Sequence, residues 1–514
     1  MPRTNRMLLF IVILSGMTTM ATEMAGSRLL DPYFGNSQIV WASLIGLIMI
    51  YLSAGYFLGG RLADRWPNPA VLYQITLWAS FIIGLIPFVA RPILRFAVIG
   101  MGEYQAGLLA GSLLGVLVLF SIPIILLGCV SPFAIRLAMQ DVASAGNTSG
   151  RIYALSTVGS IVGTFLPVLL LIPTIGTRAT FVLISAVLLF PSLIGLLQHA
   201  GPRGLLYLLM PLALTAIILW QGSQPIKETA HLIYETESAY NYIQVVEDEG
   251  SVLLKLNEGE GVHSIYTPSE TLTYATWDYF LVVPYFNNPP YTPERVRSVC
   301  MIGLAAGTIP KLYTFAYGPI DIDGAEIDPR IIDVGRQYFA MNEPNLHAYA
   351  EDGRRFLARS EETYDIIAVD AYRPPYIPFH LTTREFFEET RRHLTDDGVV
   401  AINVGRTESD SSLVDALAST MSSVFPSTYV INEPLYGYDL GNAIVVATNQ
   451  PTQLSNFAEN MPALANNPLL EYVAGRTLPY IAVADTSGTV FTDDKAPVEQ
   501  AVHQLILRYA LGGS

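Results

Sequence analysis

Lysine is nearly absent from this chain of 514 residues: there are four, Lys227, Lys255, Lys311 and Lys495, and none before residue 222. Cysteine is scarcer still. Cys129 lies in an apolar run and Cys300 opens a predicted core strand, a spacing that fits neither a disulfide framework nor a metal site. A turn with Gly303 and Gly307 is present, but it lacks the third glycine of a dinucleotide fingerprint. No Lys followed by Ser or Thr cradles a phosphate there, so a redox cofactor and ATP are both disfavoured. Charge is divided unevenly. Residues 1–222 hold 11 Arg and five acids, a net of +6, and the remainder carries −21 of the overall −15. An acidic surface of that size disfavours nucleic acid and anionic lipid as partners and attracts cationic substrates; solubility or salt adaptation is the competing reading.

What the first 222 residues have in abundance is apolar sequence. Seven stretches approach or exceed the roughly 20 residues that cross a bilayer: 7–26, 37–60, 70–90, 107–139, 151–175, 178–198 and 203–220. The first is not read as a cleavable signal, since six more follow and no small-residue cleavage site separates it from them. In the long fourth stretch Pro123 and Pro132 are the expected kinks. Ser156, Gly159, Ser160 and Gly163 recur at helix-packing spacing. Glu23, near the end of the first stretch, is costly beside hydrocarbon unless it is paired. A cation, a polyamine and an arginine are its possible partners, against the plain reading of an interfacial helix-end carboxylate. The Gly60, Arg61, Asp64, Arg65 loop resembles a short loop of major facilitator transporters, a weak signal alone.

From residue 235 the pattern changes to short alternating runs, 242–247, 252–257 and 262–266, which predict a small antiparallel sheet. A helix is predicted over 272–286. Thereafter predicted strands at 298–303, 320–327, 346–350, 364–370, 398–404, 427–432 and 442–448 alternate with helical segments, the order of a doubly wound parallel sheet. In such a sheet the ligand sits beyond the carboxyl ends of the strands. Gly303 and Gly307 at the first turn let the backbone approach a ligand, and Glu326, Asp352 and Asp370 fall at three successive strand ends. An acid in the second of those four places characteristically accepts hydrogen bonds from ribose hydroxyls; the third is placed for an adenine amino group and the fourth for the reacting carbon. For each acid alone, a helix cap or turn is the ordinary explanation.

These residues resemble the spermidine synthases, the aminopropyltransferases, and in particular their membrane-fused bacterial relatives. The matching pieces are Ser238, Tyr240, Asn241, Tyr242, Ile243 and Gln244; Glu326 to Arg330; Glu351 to Leu357; Tyr364 to Asp370; Thr383 to Phe387; and Leu394 to Val399. The resemblance covers about 235–500. It implies a multi-span α-helical membrane domain followed by an α/β Rossmann-like domain of the class I methyltransferase type, seven-stranded, with a small amino-terminal antiparallel sheet. The domains are then 1–222, spanning; 235–290, β-rich with a gate helix; 291–450, nucleoside-binding and catalytic; and 451–514, a helical tail. It assigns Asp370 as the base, and Gly303, Gly307, Glu326, Asp352 and Gln244 to the donor, decarboxylated S-adenosylmethionine or S-adenosylmethionine. Asp278, Tyr372, Asp493 and Asp494 are assigned to the amine or polyamine acceptor. No metal is implied, and a homodimer is the family's common state. The base is needed because a primary amine of pKa ~10 is mostly protonated at neutral pH and cannot attack a sulfonium carbon until it loses a proton.

Three positions depart from the family. Ala306 stands where an aspartate holds the donor's terminal amine, Arg373 where a second acceptor aspartate lies, and Thr276 and Trp277 where a Tyr-His pair lies. The reversed charge at Arg373 repels a diamine and points to another acceptor, anionic or membrane-delivered. Two alternatives stay open: S-adenosylmethionine-dependent methyl transfer, and a polyamine transporter or sensor without turnover. Arginine distribution puts the amino terminus in the cytoplasm. Seven spans would then export the soluble half, whereas a donor made in the cytosol calls for a cytoplasmic catalytic domain and so for one span fewer, in the long fourth stretch or a re-entrant first one.

Overall fold

A computed structural model describes residues 3–35, 38–100, 105–139, 141, 145–222, 224–257, 261–372, 376–435, 440–502 and 504. The chain divides into two compact units. The first is Met1–Thr229 with Glu235–Tyr242 and Asn257–Gly259; the second is Ala230–Tyr234, Ile243–Leu256 and Glu260–Ser514.

The first unit is a helical bundle. Five stretches are long and apolar enough to cross a membrane: Arg6–Phe34, Val40–Arg65, Pro69–Ala97, Gly111–Ala138 and Ala145–Gln221. The last is 77 residues long and is interrupted at Gly176 (φ 78°) and Gly201 (φ 59°), so it reads as three consecutive helical segments. In the fourth stretch Pro123 sits inside the helix Gln105–Gly128, and a break falls at Cys129, before Val130–Ala138. Pro132 is the cause, because it has no N–H to return to the Gly128 carbonyl four residues back. The helix Arg3–Phe34 packs along Ala145–Leu166 through the small residues singled out above. A Cβ on Gly159 would lie 2.0 Å from the Ile13 carbonyl oxygen, and one on Gly163 2.1 Å from that of Met17. No larger residue allows the two backbones this approach.

Two sheets follow the helices along the chain. Strands β1 (Leu232–Glu237), β2 (Tyr242–Asp248), β3 (Ser251–Leu256) and β4 (Val262–Tyr266) form a four-stranded sheet in that order, one strand more than predicted. The larger sheet comprises β5 (Ser298–Ile302), β6 (Asp321–Glu326), β7 (Leu346–Ala350), β8 (Tyr364–Val369), β9 (Leu394–Thr407), β10 (Ser427–Asn432), β11 (Leu440–Thr448) and β12 (Ile481–Val483). Its order is β12-β10-β11-β9-β8-β5-β6-β7, parallel from β9 to β7 and antiparallel beyond. Seven of these strands correspond to the predicted ones. The eighth, β12, comes from the segment expected to be a purely helical tail; three residues paired to β10 are too short to announce themselves by alternation.

The period of two distributes the core. Val299, Met301, Ile366, Ala368, Val399 and Ala401 face one layer, with Phe280, Tyr285, Phe286 and Tyr313. Cys300, Ile302, Ile367, Val369, Val400 and Ile402 face the other, with Phe386, Phe387 and Leu417. Both cysteines are free and buried. The predicted helix over 272–286 is a 3₁₀ segment that starts later, Thr276–Phe286, since residues 272–275 form an extended turn around the Asp278 carboxylate.

Candidate active site

Strand β5 lies between β8 and β6, so the direction of winding reverses at the β5/β8 boundary, the place where sheets of this kind bind their ligands. The turn after β5 and the end of β8 meet there. Gly303 takes φ 86°, and its backbone passes so close to Asp370 that an added Cβ would lie 2.6 Å from the Asp370 carbonyl oxygen. The Asp370 N–H donates to the Ile302 carbonyl at 2.9 Å. Gly307 (φ 89°) precedes the helix Thr308–Tyr317. The turn is held from the small sheet, the Ala306 N–H donating to Ser264 Oγ at 2.9 Å and the Ile265 N–H to Thr308 Oγ1 at 3.0 Å.

Asp370 is fixed from two sides. Trp277 Nε1 donates to its Oδ2 at 2.9 Å, and Asn403 Nδ2 donates to its Oδ1 at 2.8 Å. Burial raises its carboxyl above the ordinary value, and these two hydrogen bonds oppose the rise. Such an acid is a competent proton acceptor whose direction is set by its neighbours. Asn403 Oδ1 is buried and has no partner among the described residues. Tyr372 donates its hydroxyl to the Asn403 carbonyl at 3.2 Å, so it braces the strand carrying that asparagine.

Glu326, at the end of β6, is buried, and its two carboxylate oxygens accept the Ala305 N–H (2.9 Å) and the Asp328 N–H (3.1 Å). Burial pushes its pKa up to about 7 despite those hydrogen bonds. Because the folded value lies above the ordinary one, the stabilisation belongs to the protonated form. It is complete below pH 4.5 and fades as pH rises toward 7, by about 3 kcal/mol in all. The thermal midpoint of the ligand-free protein is expected to fall across that window, and to fall less in Glu326→Gln, where the raised carboxyls of Asp370 and Glu433 still contribute; equal falls in the two proteins contradict this assignment.

Asp352 caps the helix Gly353–Arg359, its side chain accepting the Arg355 N–H, and its other oxygen bonds His380 Nε2 at 2.8 Å. The His380 hydrogen bond holds its carboxyl below the usual range. Asp493 belongs to the same network. Arg354 grips it with two bonds of 2.8 and 2.7 Å, Thr383 adds one of 2.7 Å, and the guanidinium draws its pKa down to about 2. Asp493 therefore ties the carboxyl-terminal segment to the neighbourhood of Asp352, and its oxygens are engaged. Asp494 occupies the tip of the tight turn closed by Thr492 and Lys495, is exposed, and makes no side-chain hydrogen bond among the described residues. Neither caps a helix. Asp278 is fully buried and accepts from the Thr273 and Tyr274 N–H groups, the Thr273 hydroxyl and Arg476, so it organises the turn that presents Trp277. Gln244 is buried in β2 opposite Lys255. Ala306 is buried in an apolar cluster with Ile331, Val334 and Phe339. Arg373 lies outside the described residues.

Asn403 and His380 escaped the sequence reading, as did the role of Trp277 as a donor to Asp370. Asn403 lies inside β9, four residues before its end at Thr407, so the strand-end rule that selected the acids passes over it; His380 carries no local signal. Glu433 was also missed. It bonds the Thr276 hydroxyl, and its carboxyl is raised by burial.

A sheet whose parallel strands carry a glycine turn at the reversal point and acids at three consecutive strand ends is the arrangement of the class I methyltransferase type of fold. Residues 303–456 match the family described as spermine/spermidine synthase domain. The chain is 30% identical over 312 residues to the probable polyamine aminopropyl transferase of Bifidobacterium longum, covering 57% of this chain and 66% of that protein. It is 31% identical over 232 residues to the polyamine aminopropyltransferase of Vibrio vulnificus, covering 43% and 74%. A third relative, the N-terminal histidine N-methyltransferase of Emericella nidulans, is 33% identical over 172 residues, 32% of this chain and 30% of that one. The chain belongs to the polyamine aminopropyltransferase family.

Proposed function

We propose that the protein transfers an aminopropyl group from decarboxylated S-adenosylmethionine to the nitrogen of an amine. The observation that carries the reading is Asp370, held by Trp277 and Asn403 at the reversal point of the sheet, against the Gly303 turn. Glu326 accepts the donor's ribose hydroxyls, Asp352 faces its adenine amino group, and Gln244, Gly303 and Gly307 complete the donor side. The amine nitrogen attacks the carbon next to the sulfonium, the C–S bond breaks, and methylthioadenosine leaves as a neutral thioether. The proton released from the nitrogen passes to Asp370. Tyr372 and Asp278 shape the acceptor end through the elements they brace, with Asp493 and Asp494 on the segment that covers the adenine side.

The domain reading accompanies this: a spanning region over 1–222, a small β-rich region over 235–290, the catalytic sheet over 291–450 and a tail over 451–514. Phe57, Leu169, Leu219 and Trp220 are more than 70% exposed in the helical unit, a surface that suits lipid. We place the protein in the cell membrane as a multi-pass chain, with the catalytic unit in the cytoplasm where the donor is made, and as a homodimer.

A second reading, methyl transfer from S-adenosylmethionine, is favoured by the Emericella relative and by Ala306, which offers no carboxylate to a donor amine. Mass spectrometry of the by-product separates them. Detergent-purified protein given decarboxylated S-adenosylmethionine and a pool of amines is expected to release methylthioadenosine. S-adenosylhomocysteine, released from S-adenosylmethionine, would establish methyl transfer instead.

A further inference from the structure

In four neighbouring strands the apolar layer beneath the segment Thr276–Phe286 gives way to a polar residue at the same sheet edge. Ile366 and Ala368 of β8, Val399 and Ala401 of β9, Ile444 and Val446 of β11, and Tyr429 and Ile431 of β10 belong to one buried layer with Phe280 and Phe286. Two positions beyond the last of these in each strand, and so on the same face, stand Asp370, Asn403, Asn442 and Glu433. Strand β11 runs antiparallel to β9 and to β10, and Ala443 pairs with both Val404 and Asn432, which brings Asn442 and Glu433 to the edge that carries Asp370. With the strand order β10-β11-β9-β8, the four residues form a row.

The start of the covering segment is bonded to both ends of that row. Trp277 Nε1 donates to Asp370, the Thr276 hydroxyl donates to Glu433, and Asn442 Nδ2 donates to Thr276 Oγ1 at 3.0 Å. Between the two acids Asn403 is 6% exposed, and its Oδ1 has no partner among the described residues, so the row holds an open acceptor that calls for an N–H. Glu433 forms no ion pair among the described residues. Arg476 pairs with Asp278 and lies over the Tyr279 ring, and Arg406 gives its terminal nitrogens to the carbonyls of Thr407 and Glu433. Burial raises the Glu433 carboxyl, and the Thr276 bond and the charges of Arg476 and Arg406 oppose only part of the rise. Of the acids that the resemblance gives to the acceptor, Asp278 is saturated by its own turn and Asp493 is gripped by Arg354.

We propose that Glu433 holds the second ammonium group of a linear diamine whose other nitrogen lies at Asp370, and so sets the length of the acceptor. The assignment rests on the reading of Asp370 as the residue beside the attacking nitrogen. Three strand spacings separate the two acids, roughly 14 Å between backbones. One nitrogen cannot meet both carboxylates, but the two ends of a short chain can. A charged hydrogen bond of about 2.8 Å at each end leaves roughly 8 Å between the nitrogens. At about 1.2 Å per extended bond that is the reach of some four to six methylenes. A monoamine of the same length leaves Glu433 without its cation.

By-product release from the full chain in detergent tests it, with 1,4-diaminobutane to 1,7-diaminoheptane as acceptors beside the monoamine of each length. Methylthioadenosine and S-adenosylhomocysteine are both counted, so the result reads the acceptor whichever group is moved. The ratio of kcat/KM for a diamine to that for its monoamine is expected to fall by roughly tenfold or more in Glu433→Gln, since a hydrogen bond between charged groups is lost. Glu433→Asp sets the carboxylate one methylene further back, and its best diamine is expected to be one methylene longer than that of wild type. A brace for Thr276 alone produces no such shift, and this variant carries the test should Glu433→Gln fold poorly. A ratio unchanged in Glu433→Gln, or a best length unmoved in Glu433→Asp, overturns the proposal. Release of neither by-product removes the transferase reading, and equilibrium binding of radiolabelled 1,4-diaminobutane then decides. Binding about tenfold weaker in Glu433→Gln leaves the two-ended site standing, and equal affinity overturns it.

Discussion

Asp370→Asn is expected to lower turnover about a thousandfold while donor affinity stays within a few-fold. The substitution keeps the shape of the side chain and removes its negative charge and with it the capacity to take a proton. General bases contribute roughly 10²–10⁴ in rate, and here the base also attracts the ammonium form of the acceptor, so the loss is set above the lower end of that range. Donor binding is spared because Glu326 and Asp352 stand on other strands, β6 and β7, and keep their own partners. The asparagine also disturbs its setting little: its oxygen still accepts from Trp277, and the Asn403 amide, whose Oδ1 has no partner among the described residues, can turn to accept from the new Nδ2. Single-turnover kinetics with saturating donor, beside isothermal titration of the donor alone, separate the two effects. Turnover within tenfold of wild type would remove Asp370 from the proton path. A parallel collapse of donor affinity would make it a donor ligand.

Gly303→Ala is expected to cost more than any other single methyl group in the catalytic unit, about 3 kcal/mol or more of stability, with loss of activity in whatever remains folded. Two causes add. At φ 86° an L side chain is strained, by about 1–3 kcal/mol. The new Cβ would also lie 2.6 Å from the Asp370 carbonyl oxygen and 2.7 Å from the Ala371 nitrogen and Cα. All three are backbone atoms, so no flexible side chain can yield, and relief comes only by moving β5 away from the segment that carries the base. Gly250 is the control. Its φ is 84° but nothing lies within 4 Å of an added Cβ, so Gly250→Ala bears only the conformational cost of about 1 kcal/mol. Denaturation midpoints of the two variants should therefore differ clearly, and equal midpoints would show that the Gly303 turn relaxes without cost.

Asp352 shows why a strand-end acid could not be read from sequence as either structural or functional. It caps the helix Gly353–Arg359 through one oxygen and holds His380 through the other. The local pattern announces the cap, because Ncap chemistry involves residues three apart. The histidine arrives from 28 positions away and leaves no trace in the pattern. Asp493 is the same case at greater range. The resemblance assigns it to the acceptor, and nothing near it in sequence announces Arg354, 139 residues earlier, which grips it. Asp278 looked like an acceptor ligand and is instead saturated by the turn it closes.

Sequence by itself determined the division into an apolar helical half and an α/β half, because hydropathy and the periods of 3.6 and 2.0 are local properties that each segment carries alone. It also determined which acids end the parallel strands, since a strand's carboxyl end is fixed once the strand is located. Only the tertiary structure decided that Trp277 and Asn403 hold Asp370, that Glu433 bonds Thr276, that β12 completes the sheet, and that Glu23 lies buried with no partner among the described residues. Each of those depends on which distant segments meet, and long-range contact is set by the packing of whole elements, which no window of sequence contains.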